Sequence, residues 1–124
     1  MTGANRVGFA LSGARANLGV CIPKRYWIGS VDISDPEGYK LYIAGNAKAF
    51  RKYGGRFLAR GGKTEVVEGK WRSRNVVIEF KDYETAVTCY RSPEYTAAVE
   101  IAIRTSVRDI ILLEGYEGPQ PTDA

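Results

Sequence analysis

Two short runs of the same chemical type frame this chain: Ser34-Asp35-Pro36-Glu37 and Ser92-Pro93-Glu94. In each, a side chain able to accept a hydrogen bond stands ahead of a proline, and a glutamate follows. Such a residue takes up the orphan N–H groups of a first helical turn, and proline, which has no N–H, loses nothing there. Ser34 and Glu37 also have the spacing of a capping box. Each run therefore predicts a helix start. The segments around them must supply a surface for those helices to bury.

Alternation supplies it. Residues 26–33 read as a strand, with Trp27, Val31 and Ile33 on one face and Tyr26, Ile28 and Asp32 on the other. The first helix carries Tyr39, Tyr42, Ile43, Asn46, Phe50 and Tyr53 at helical spacing until Gly54-Gly55 stops it. Residues 56–60 read as a second strand, broken by Gly61-Gly62, and residues 64–71 as its continuation or a hairpin arm. Residues 74–81 make a third strand, with Val76, Ile78 and Phe80 on one face. Asp82 caps a short helix through Tyr90, and Ser92-Pro93 restarts it with Ala98, Ile101, Ala102 and Thr105 as the buried stripe. Residues 109–115 are a strongly apolar last strand.

The order β-α-β-β-α-β, with two right-handed crossovers in one antiparallel sheet, predicts an α+β, ferredoxin-like fold with two helices on one face. The other face keeps large apolar groups. A second copy of the chain is the simplest cover, and two such sheets facing each other close into a dimeric α/β barrel.

Length and charge agree with one small domain. The chain has 124 residues, enough for a modest core. Residues 23–117 read as the domain, 1–22 as a poorly ordered extension and 118–124 as a loose tail. The net charge of +4 sits in the leader: Arg6, Arg15, Lys24 and Arg25 face no acid among residues 1–25, and the remainder balances 14 basic against 14 acidic residues. A nucleic-acid binder concentrates basic charge on its folded surface, so nucleic acid is not an expected partner. No apolar run is long enough to span a membrane. With two cysteines, Cys21 and Cys89, and no disulfide framework, the expected setting is the reducing cytoplasm. Histidine is absent. That removes the commonest metal ligand and general base, leaving Asp, Glu, Tyr, Lys or Cys for any proton chemistry. No metal and no cofactor is expected.

Several segments in this order carry a resemblance. They are the run from Asn46 through Tyr53-Gly54-Gly55 to Arg60-Gly61-Gly62, then Val67-Glu68-Gly69-Lys70-Trp71-Arg72, Ser92-Pro93-Glu94-Tyr95 and Leu113-Glu114-Gly115. Together they resemble the family called domain of unknown function 1330, over about residues 26–116. The resemblance implies the dimeric α/β-barrel superfamily, whose better-known relatives include antibiotic-biosynthesis monooxygenases, muconolactone isomerase-like enzymes and haem-handling proteins. It implies no settled activity, and nothing for the leading 22 residues.

The candidate ligand-binding residues are Asn46, Arg60, Glu68, Ser92, Tyr95 and Arg104. Arg60 beside Gly61-Gly62 reads as an anion-binding corner, because a glycine turn bares backbone N–H groups and a guanidinium forks onto a carboxylate. The plain alternative is a β-bulge with a solvated arginine. Glu68 meets Arg60 if the two segments form a hairpin, as an ion pair or as a base. Asn46 interrupts the apolar stripe of the first helix, so its amide needs a partner or a ligand. Ser92 reads as a cap, and the helix start with Tyr95 as an anion site beyond that. Arg104 suits the end of its helix, and matching arginines in the resembling family imply a pocket role. Asp32 and Glu79 read as residues of a barrel interior, and Cys89 as a small buried hydrophobe.

Two functions fit. One is a homodimeric small-molecule-binding protein, acting as a cofactor-free isomerase- or monooxygenase-like enzyme on a carboxylated or oxygenated compound. The other is a non-catalytic dimeric module that offers structure or a partner surface. Haem chemistry is disfavoured for want of a histidine ligand.

Overall fold

The computed structural model describes residues 22–123. Strand β1 (Arg25–Ile33) leads into helix α1 (Pro36–Tyr53), followed by strands β2 (Arg56–Arg60) and β3 (Arg74–Phe80). Helices α2 (Tyr83–Tyr90) and α3 (Pro93–Thr105) come next, then strand β4 (Ser106–Glu114). A single 3-10 turn at Pro121–Asp123 lies in the tail. The sheet is antiparallel with order β2-β3-β1-β4. This is the ferredoxin-like arrangement, α+β, with three helices against a four-stranded sheet.

Cap chemistry sets the helix starts, with one shift from expectation. Asp35, not Ser34, caps α1, its Oδ1 accepting from the Gly38 N–H at 3.1 Å. A residue ahead of proline is held extended, and Asp35 adopts φ −132° and ψ 91° there. The backbone N–H of Ser34 instead donates to the Thr105 carbonyl at 2.9 Å, tying β1 to the end of α3. Asp82 caps α2 and Ser92 caps α3. Gly54, at φ +73°, ends α1 in the left-handed region that glycine enters without steric cost.

Packing centres on Trp27. Tyr95 of α3 meets it edge-on at 4.7 Å and Phe50 of α1 at 5.1 Å, while Phe80 of β3 stacks at 5.9 Å. Aromatic pairs of this kind add roughly 0.5–1.5 kcal/mol each beyond the area they bury. Cys89 is wholly buried within this core, and burial pushes its thiol pKa up to about 12.

Two further segments differ from expectation. Strand β4 begins at Ser106, three residues before the apolar run, because Val107, Arg108 and Asp109 pair with Asp32, Val31 and Ser30 of β1. Residues 61–73 form neither a strand continuation nor a hairpin arm. Strand β2 is the edge of the sheet and pairs with β3 on one side; the chain turns off at Gly61, φ +63°, and residues 64–71 add no strand to its outer edge. The segment is an almost wholly exposed loop, turned by Gly61 and Gly69 at positive φ. Arg72 fastens its base to the sheet, donating to Asp32 and to Asp109 at 2.9 Å each.

The sheet face away from the helices is open. Val107, Ile111 and Leu113 of β4 are 49–57% exposed there, beside the half-buried Ile28 and Val77.

Candidate anion-binding cleft

Strand register puts three arginines on the helix-covered side of the sheet. Val31 of β1 faces Arg74 on β3 and Arg108 on β4, in one row across three strands. The next row holds Val76, Gly29 and Ile110, and Arg60 at the end of β2 pairs with Val76. Gly29 lets that row close: a Cβ there would stand 2.9 Å from Ile110 Cδ1 and 3.1 Å from Val76 Cγ2. The three guanidinium groups thus border one cleft, whose opposite wall is Tyr39, Tyr42 and Asn46 of α1.

Each arginine is braced by a ring. Arg108 lies over Tyr42 with its Cζ 4.5 Å from the ring centre, Arg60 over Phe57 at 4.2 Å and Arg74 over Tyr39 at 5.9 Å. A ring face holds a cation in place without neutralising it. Among the described residues no carboxylate pairs with any of the three, and none lines the cleft. The result is a concentration of uncompensated positive charge beside an apolar floor.

Arg108 is the most constrained. Its Nη2 donates to the Tyr42 hydroxyl at 2.8 Å and to the Tyr95 hydroxyl at 2.6 Å, and the two hydroxyls lie 2.8 Å apart. Burial alone would lower the Arg108 pKa, but Tyr42 and Tyr95 beside it leave it above the ordinary arginine value, so the group stays charged. Burial, with Tyr42 adding to it, pushes the Tyr95 hydroxyl well above the usual tyrosine range despite the nearby Arg108. Burial likewise raises Tyr39. The Tyr95 and Tyr39 hydroxyls therefore keep their protons at neutral pH and are not bases.

Three buried polar atoms around the cleft have no partner among the described residues: Arg108 Nη1, Arg74 Nε and Asn46 Oδ1. Buried polar groups are nearly always paired, and an orphan is costly. Asn46 is only 7% exposed. Three of the six such atoms found among the described residues lie on this cleft, and a polar guest there would complete their bonding. The cavity at its centre is about 20 Å³, room for one water. A larger guest needs side chains around the cleft to move, and Arg60, on the edge strand, is the exposed one of the three arginines.

The expected site residues divide. Asn46 and Arg60 line this cleft. Tyr95 stands behind it, fully buried, and enters through its hydroxyl contacts with Tyr42 and Arg108. The Ser92 hydroxyl is spent inside the fold, donating to the Cys89 carbonyl at 2.7 Å and accepting from the Tyr95 N–H at 3.1 Å. Glu68 is not brought to Arg60; it lines a separate surface hollow of about 330 Å³ with Val67 and Trp71 on loop 61–73. Arg104 is exposed on α3, where it donates to the Glu100 carbonyl at 3.0 Å. Asp32 and Glu79 lie on the open sheet face, paired with Arg72 and with Lys24 and Arg56.

Arg74 and Arg108 were not expected, although both carry a readable signal. Arg74 is in phase with Val76, Ile78 and Phe80, and Arg108 with Ile110 and Leu112. A charge in phase with an apolar face points into the fold.

Comparison with known proteins places the fold in a wider group. No curated protein sequence matches the chain. Among solved structures, a protein of unknown function from Rhodopseudomonas palustris is 18% identical with a TM-score of 0.63, covering 77% of this chain and 85% of its own. The cofactor-independent oxygenase SnoaB from Streptomyces nogalater is 12% identical with a TM-score of 0.57, covering 80% and 98%. A dimeric ferredoxin-like protein of unknown function from Thermobifida fusca is 16% identical with a TM-score of 0.53, covering 79% and 96%. Identities this low speak for the fold. Among the described residues no helix is long and apolar enough to cross a membrane, and no cluster of three His, Cys, Asp or Glu could hold a metal ion. The sequence itself is matched over residues 24–116 by the model of DUF1330, domain of unknown function 1330, and the chain belongs to that family.

Proposed function

We propose that the protein is a cytoplasmic homodimer that binds a small carboxylated compound in the cleft between the sheet and α1. The observation that carries this reading is the set Arg60, Arg74 and Arg108, three guanidinium groups around one cleft with no carboxylate among its lining residues. Unpaired positive charge in a partly desolvated place is unfavourable unless an anion arrives, and a guanidinium forks onto carboxylate oxygens. The Tyr42 and Tyr95 hydroxyls next to Arg108 would steady negative charge developing on such a ligand. That suits a cofactor-free isomerisation or oxygenation, and SnoaB, a cofactor-independent oxygenase, has the same fold.

Dimerisation is supported by the open sheet face, where Val107, Ile111 and Leu113 await a cover. The ferredoxin-like neighbour from Thermobifida fusca is dimeric. Nucleic acid has no part in this reading. A second reading, a dimeric module with a partner surface, draws on Val66, Val67 and Trp71, which stand 51–82% exposed on loop 61–73.

The test is a thermal-shift screen against small carboxylic acids, phenols and lactones, on the parent protein and on Arg60→Ala. A carboxylate that raises the melting temperature of the parent and not of the variant supports the anion cleft. No shift with any compound moves the weight to the partner-binding module.

A further inference from the structure

The two tyrosines bonded to Arg108 hold one hydroxyl proton with no acceptor among the described residues. Arg108 Nη2 donates to both hydroxyl oxygens, and one hydroxyl donates to the other. Two hydroxyls carry two protons, so the second proton has no acceptor among the described residues. If it belonged to Tyr95 it would lie in the core, where that residue is 0% exposed, and a buried donor without an acceptor is disfavoured. If it belongs to Tyr42 it lies at the cleft, which Tyr42 lines and Tyr95 does not. Burial also holds the proton of Tyr95 firmly. The chain of donors therefore runs Tyr95 to Tyr42 to cleft. Beside that donor stands Arg108 Nη1, equally unpaired, and Arg74 Nε lies across the row.

Resting on the carboxylate-binding reading above, we infer that the ligand carries a second acceptor oxygen next to its carboxylate, as a 2-oxo acid does. The carboxylate would take the arginines, and the adjacent carbonyl oxygen would take the hydroxyl proton of Tyr42. The orphan acceptor Asn46 Oδ1 then needs a donor, which a bridging water supplies. With the two N–H bonds of Arg108 Nη1, the Nε–H of Arg74 and the guanidinium of Arg60 on its roughly four acceptor positions, the carboxylate of a simple alkanoate would satisfy the charge and leave the Tyr42 proton stranded. A site whose buried donor is left unpaired rejects the ligand that lacks the partner atom.

The test is a matched pair, 2-oxobutanoate and butanoate, titrated calorimetrically at pH 7.5 into the full chain and its Tyr42→Phe and Tyr95→Phe variants, each checked for folding by circular dichroism. The parent protein is expected to bind the oxo acid about tenfold more tightly than butanoate, one hydrogen bond's worth. Tyr42→Phe should erase that preference while still binding both anions, and Tyr95→Phe should retain it. Equal binding of the two acids by the parent, or a preference that survives Tyr42→Phe, overturns the inference and leaves the carboxylate site standing. Binding of neither acid overturns both.

Discussion

The side chain on which the cleft depends most is one that hydropathy alone overlooks. Arg108 opens the apolar stretch of β4 and looks like its polar margin, so the last strand is expected only from residue 109. Its phase with Ile110 and Leu112 tells the opposite story, and the register against Val31 confirms it. Arg104, one helical turn earlier, has the right charge on the wrong element. Gly61 shows the same dependence on detail. It is at φ +63°, and a Cβ there would collide with Nη1 of Arg74. Gly61→Ala should therefore cost about 1–2 kcal/mol through backbone strain, and move Arg74 as well. Urea denaturation measures the first effect, and weakened carboxylate binding reports the second. A variant as stable as the parent would mean that loop and arginine shift freely.

At the level of elements, capping and proline placement make the helices legible from sequence, and alternation does the same for β1 and β3. What stays hidden is set by neighbours. Glu68 reads as a partner for Arg60 only if residues 64–71 return as a hairpin arm, and they leave the outer edge of β2 unpaired. The same carboxylates that fix elements in place make stability depend on pH. The Ser73 N–H and then Arg72 hold Asp32 below its ordinary 3.8. The Thr85 side chain and N–H do so for Asp82, also from 3.8, and Lys52 does so for Glu94, from 4.5. A carboxylate whose folded pKa is depressed stabilises the fold above its unfolded pKa and loses that contribution as pH falls through the folded value. Stability should thus be flat from neutral pH down to about 4.5 and decline below it. Urea midpoints taken at pH 7, 4.5 and 3 would check this. A midpoint unchanged at pH 3 would show that the caps and the Arg72 tether contribute nothing.

At the scale of the whole molecule, one sheet serves two surfaces. The helix-covered side carries the core and the arginine cleft, and the open side carries Val107, Ile111 and Leu113. If a second copy covers the open side, Ile111→Glu buries a carboxylate in the interface from both partners. Light scattering should then show the dimer weakened by more than about a hundredfold, with carboxylate binding kept if each cleft is complete within its own chain. A dimer as tight as the parent's would place the interface elsewhere. The two sides meet at β4, where Arg108 points one way and Val107 the other. On the anion-cleft proposal Arg108 is also where function and stability are set against each other, because a guanidinium held against a ring with no counter-ion among the described residues costs stability that a bound anion would offset. The decisive measurement is therefore made on Arg108→Met, by urea denaturation and carboxylate titration together. The anion cleft predicts a variant that is equally stable, or more stable by about 1 kcal/mol, and that no longer binds a carboxylate. A variant that loses several kcal/mol of stability, or binds the carboxylate as the parent does, would show instead that Arg108 serves the fold and not a ligand.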